Sequence, residues 1–220
     1  MRAKFINEIL SPDKDLFQQF KKIFFEVKDS RTYDPFYELN ERLNPLNISL
    51  QDFKNHFDAL PPQKRAAFMN ANMIPELGVR VFKYEPEQNQ IQIIVDETFD
   101  DKFIYMSNNR LEHFLNFMWS AFGHETIHME QTKRMKVKQN PSFNSHDEYF
   151  KNKQEIMALA FSFVEESRNI FNDNQILDIL KGKLKPIRQP MLLKIYKDLD
   201  SESYKLFTKY VYKYLMQEKE

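Results

Sequence analysis

Glycine is the residue this chain does without, and the lack constrains its backbone more than any motif does. Three glycines, at positions 78, 123 and 182, serve 220 residues. Ordinary usage of about 7% would supply roughly fifteen. The dinucleotide fingerprint G-x-G-x-x-G and the phosphate loop G-x-x-x-x-G-K-[ST] both need glycines a few positions apart. Glycines this widely scattered build neither, so Rossmann-type cofactor binding and P-loop chemistry are excluded. Cysteine is absent altogether, which removes disulfides, Cys-ligated zinc, Fe–S clusters and thiol catalysis.

Other bounds come from charge and hydropathy. Thirty-two basic residues cancel 32 acidic ones, so no global field draws the chain to nucleic acid or an anionic membrane. Hydrophobic residues make up 42%, and 21 Phe with 10 Tyr predict an aromatic core. The length suffices for one domain with a sizeable core. The first ten residues carry Glu8 inside their apolar stretch and lack a small-residue cleavage site. The longest apolar run, Ile156–Phe161, is far too short to span a bilayer. The expectation is a cytoplasmic protein with no membrane partner, and association with a virus particle is compatible with it.

Most of the chain reads as helix. Ser11 as cap and Pro12 at the first position predict a helix with a Leu16, Phe20, Ile23, Val27 stripe. Residues 31–48 read as irregular, Ser49 as the cap of a helix through Leu60, and Pro61-Pro62 as the start of another to Asn72. Leu77–Tyr84 and Gln90–Asp96 flank turn residues and predict a hairpin, with Lys102–Met106 a third short strand. Further helices are expected over 109–134, 146–169, 173–181 and 190–216, the last broken at 198–203. The fold class is therefore α+β, predominantly helical. Its regions are an N-terminal helical part (1–76), a core (77–170) and a C-terminal helical extension (171–220), together one compact domain.

Two of the five histidines fall in His124-Glu125-Thr126-Ile127-His128. Positions i and i+4 share a helix face, so both imidazoles reach one cation, and the intervening Glu can address a metal-bound water. The preceding segment, Phe114–Phe122, is apolar on nearly all sides and predicts a buried helix. Buried histidines and a carboxylate need partners, and a divalent cation supplies one. Gly123, directly before His124, is expected to mark close backbone approach. A third ligand is sought downstream. Glu155 opens the apolar run Ile156–Val164 and has no surface explanation, which favours it. Glu148 is the alternative, although Ser145-His-Asp-Glu148 fits a capping box, and His146 ranks third.

His124-Glu-Thr-Ile-His128 followed by Glu155-Ile-Met-Ala158 resembles the zincin superfamily of zinc metallopeptidases, in its branch with a glutamate third ligand (gluzincins). The resemblance covers about residues 77–170. It implies a motif helix and a glutamate helix side by side under a small twisted, antiparallel-edged sheet, with one zinc per chain held by His124, His128 and Glu155. It also implies Glu125 as general base for hydrolysis of a peptide or protein substrate. The sheet edge would hold that substrate in extended form, with Gln90–Asp96 the favoured edge strand. Tyr149, Tyr105 and His113 are candidates for stabilising the oxyanion. Two departures stand out: Leu159 occupies the place of an orienting Asp four residues after Glu155, and Gln131 and Arg134 replace the Gly and His of the metzincin pattern.

Two other readings remain open. Lys133–Lys138 and Lys181–Arg188 are basic runs that a nucleic-acid-binding module would use. Zero net charge and the lack of an accompanying motif favour solvated helix ends instead. A non-catalytic structural or interaction protein, viral for instance, would dock partners through the Phe207, Tyr210, Val211, Tyr214 stripe, for which packing on its own domain is the default.

Overall fold

Helix starts in this chain are written by short polar side chains. In the computed structural model, which describes residues 9–60, 65, 74–135, 145–187 and 190–217, Asp13 caps α1 (Lys14–Ser30) by accepting the Leu16 N–H at 2.8 Å. The cap is thus two residues later than Ser11. The buried stripe is Phe17, Phe20, Phe24 and Val27, rotated from the one expected. Asp34 caps α2 (Pro35–Leu43), where irregular chain was expected. Pro35 occupies the first helical position, where a missing N–H costs nothing, and so starts a helix rather than breaking one.

Residues 48–52 form a strand, β1 (Ile48–Asp52), and the capping residue of the following helix α3 (Phe53–Ala59) is Asp52, not Ser49. A half-buried strand this short has no periodicity of its own to read; it exists because a partner strand lies beside it. β2 (Val79–Glu85) and β3 (Gln90–Val95) form the expected hairpin. The sheet order is β1-β3-β2, with β1 parallel to β3 in the register Ile48↔Ile91. Gln90–Val95 is therefore central, buried and paired on both sides, and β2 is the edge nearer the motif. The expected edge strand is corrected accordingly.

Gly78 leads into β2 with φ +76°, and a Cβ there would stand 2.6 Å from Asp96 Oδ1. This is the left-handed region that favours glycine. The third strand expected at 102–106 is instead helical, α4 (Phe99–Tyr105): Phe99 and Phe103, one turn apart, are both buried. α5 (Asn108–Met135) follows as one long helix. The chain forms two compact units, 13–125 and 1–12 with 126–220.

In the second unit, Asn152 splits the expected 146–169 helix into α6 (His146–Lys151) and α7 (Lys153–Arg168). Its ψ of 124° leaves the helix, and its side chain accepts the N–H groups of Gln154 and Glu155. α8 (Asp173–Leu180) begins with a reciprocal Asn172/Gln175 capping box. α9 (Met191–Leu199) and α10 (Ser201–Gln217) are separated at Asp200.

α10 packs along α7 through edge-to-face rings, Phe161 on Tyr214 at 5.6 Å and Phe163 on Phe207 at 5.4 Å. Phe207, Tyr210, Val211 and Tyr214 are all buried, and Tyr214 donates its hydroxyl to the Leu10 carbonyl. The fold is α+β and mostly helical, with one three-stranded sheet among the described residues. No helix among them is long and apolar enough to cross a membrane. The helix expected from Pro61 to Asn72 lies almost wholly outside the described residues.

Candidate metal centre

The first half of α5 is amphipathic rather than buried all round. Leu111, Leu115, Met118 and Phe122 are fully enclosed, while Glu112 and His113 are exposed and Phe117 is half exposed. Complete burial begins where the motif begins. From Phe122 to Gln131 every residue but Glu125 and Glu130 is buried, Gly123 included. The polar members of that stretch, His124, Thr126, His128 and Gln131, are 9%, 0%, 6% and 0% exposed. Polar groups enclosed in this way need partners.

α7 supplies one. Ile156–Val164 is buried without a gap, and Glu155 precedes it at the third helical position, its N–H and that of Gln154 both directed at the Asn152 side chain. The capped first turn brings the Glu155 carboxylate to 3.2 Å from Nε2 of His128. Two ligands of one tetrahedral zinc, each about 2.0–2.1 Å from the metal, lie about 3.3 Å apart. His124, one turn earlier on α5, completes a group whose ligand atoms all lie within 4.8 Å of one another and could hold a metal ion. Two neutral imidazoles and one carboxylate are the donors that zinc accepts. The residues present fit that ion after a contraction of up to about 1.5 Å from the 4.8 Å spread.

Around this group stand residues with other duties. Glu125 accepts the backbone N–H of Tyr84, on the edge strand β2, at 2.7 Å. Gln131, one turn beyond His128, lies 2.9 Å from its Nδ1 through Oε1 and donates from Nε2 to the Gln154 carbonyl at 3.1 Å. Tyr196 on α9 is fully buried, stacked on Phe207 at 4.2 Å, and its hydroxyl has no hydrogen-bond partner among the described residues. Burial first, then the Glu155 charge, pushes that phenol well above its ordinary pKa.

Glu148 is exposed on α6, its N–H donated to Ser145 at 3.2 Å, and it is not in the metal-capable group. The side chain of His146 lies outside the described residues. Tyr149 is partly buried beside Phe150, Tyr105 is 85% exposed at the end of α4, and His113 is exposed next to Phe114 on α5. Of the basic runs, Lys133 and Arg134 pair with Glu130, and residues 136–138 and Arg188 lie outside the described residues.

Sequence reasoning gave no role to Gln131 or Tyr196. Gln131 could have been found, because it follows His128 at i+3 on the buried face of the same helix. Tyr196 carried no signal, since only the packing of α9 brings it into the company of Glu155. Compared with models of protein families, with curated proteins and with solved structures, the chain matches none.

Proposed function

We propose that this chain is a zinc-dependent metallopeptidase with a zincin-like site. In this reading His124, His128 and Glu155 hold one zinc ion and Glu125 is the general base. The observation that carries it is the convergence of three ligand atoms of the right kinds to within 4.8 Å, contributed by an H-E-x-x-H helix and a second buried helix.

Held by His124, His128 and Glu155, zinc would supply Lewis acidity to the scissile carbonyl and to the attacking water. Glu125 does the proton work. Its carboxylate takes a proton from the attacking water and returns it to the leaving amine. The Tyr84 N–H donates to that carboxylate, and Glu125 is not one of the three grouped ligand residues, which supports separate tasks for base and ligands. The same edge strand, β2, offers backbone groups to which an extended peptide can add as a further strand.

The test is hydrolysis of an unfolded protein substrate by the purified chain and by Glu125→Gln. The proposal expects cleavage by the first, a large loss in the second, and equal zinc in both. Zinc without any cleavage would leave a non-catalytic metal-binding protein.

A further inference from the structure

We infer that Gln131 is a positioning residue that fixes the tautomer of His128, so that Nε2 is the only ring nitrogen open to the metal. Glutamine can face His128 with either end of its amide, and its other contact decides which. A backbone carbonyl accepts hydrogen bonds and never donates. The Gln154 carbonyl, 3.1 Å away, therefore requires the NH2 end of Gln131. The oxygen end is left pointing at His128 Nδ1, 2.9 Å distant. An amide oxygen only accepts, so Nδ1 must carry the hydrogen.

With that nitrogen occupied, Nε2, which faces Glu155 at 3.2 Å, is the one that can ligate. Because Gln154 belongs to the first turn of the Glu155 helix, a single amide ties the second histidine of the motif to the element that brings the third ligand. Gln131 is fully buried, so water does not compete for either bond.

The position of Gln131 distinguishes this from ordinary packing. Metal-ligating histidines are commonly oriented by a carboxylate or a backbone carbonyl on the other ring nitrogen, and losing such a partner costs roughly 10–100-fold in metal affinity. Here the partner is a neutral amide from the motif helix itself, three residues on. It orients the ring without adding a second negative charge beside the Glu155 carboxylate. The inference rests on the proposed metal site, but its first test does not need the metal.

Nitrogen-15 NMR of histidine-labelled, metal-free protein reads the tautomer directly. We expect a protected proton on the His128 Nδ1; a bare Nδ1 overturns the inference whatever the protein's activity. The second test is zinc affinity by competition with a chromophoric chelator. Gln131→Met keeps length and volume but offers only a weak thioether acceptor, and its affinity is expected to fall roughly 10–100-fold. Gln131→Glu restores an oxygen acceptor for Nδ1–H and should bind zinc more tightly than Gln131→Met, even if it is the less stable fold. Equal affinity in wild type and Gln131→Met would mean the side chain only fills space. A Nδ1 proton found in a chain that cleaves no peptide would sustain this inference and sink the peptidase reading.

Discussion

Glu125 and Glu155 are both partly enclosed carboxylates within reach of the same helix, yet their neighbours set them to different work. Glu155 faces His128, so its removal takes away a candidate ligand. Glu125 faces a backbone N–H of the sheet, so its removal leaves the ligand set untouched. Glutamine at 125 keeps the size and can still accept the Tyr84 N–H, but it cannot take a proton. Glu125→Gln is therefore expected to retain its zinc while hydrolysis falls by roughly 10²–10⁴-fold, the usual share of a general base. Steady-state cleavage alongside elemental analysis checks both halves. Undiminished cleavage would assign the base elsewhere.

At the scale of elements, Asn152 matters more than its size suggests. It ends α6, caps α7 and holds the first-turn N–H groups from which Glu155 projects. Asn152→Ala should cost about 1 kcal/mol of stability, as lost N-caps do, and should weaken zinc binding because the turn carrying Glu155 loses its anchor. Thermal unfolding and chelator competition read the two effects. A loss of stability with unchanged zinc affinity would separate the cap from the site.

Elements with a local signature were legible in the sequence. The hairpin showed in the β-branched runs around Glu85–Asn89, and α5 and α7 in their length and apolar content. The metal-capable group was legible through H-E-x-x-H spacing and through one acid that opens an apolar run. What was not legible depends on partners distant in the chain. β1 is a strand only because β3 lies beside it, and Lys102–Tyr105, strand-like in composition, is helical because Phe99 and Phe103 bury together one turn apart. The edge of the sheet was misassigned for the same reason, since strand order is a tertiary property. Gln131 was visible as a departure from a pattern but its use was not, because the Gln154 carbonyl that orients it is set by packing.

For the whole molecule, the aromatic composition has an energetic consequence at high pH. Burial raises the pKa of Tyr214, with nearby Tyr210 adding to it, and burial with the Glu155 charge raises that of Tyr196, each from an ordinary 10.0. The folded state then keeps protons that the unfolded chain releases, so this stabilisation is complete below pH 10 and is lost as pH rises above it. Each such tyrosine lowers stability by about 1.4 kcal/mol per pH unit above 10. Urea unfolding between pH 8 and 11 should show the decline, and Tyr214→Phe should make it shallower. An unchanged slope in that variant would mean Tyr214 ionises freely in the fold.

The proposed peptidase depends on one occupant of one group. Zinc content, measured by elemental analysis on protein purified without chelator or added metal, tests that most directly when wild type is compared with Glu155→Ala and Glu148→Ala. About one zinc per chain is expected in wild type and in Glu148→Ala, and essentially none in Glu155→Ala. A wild type without metal, or a Glu155→Ala variant that keeps it, would rule out the proposed His124, His128, Glu155 centre.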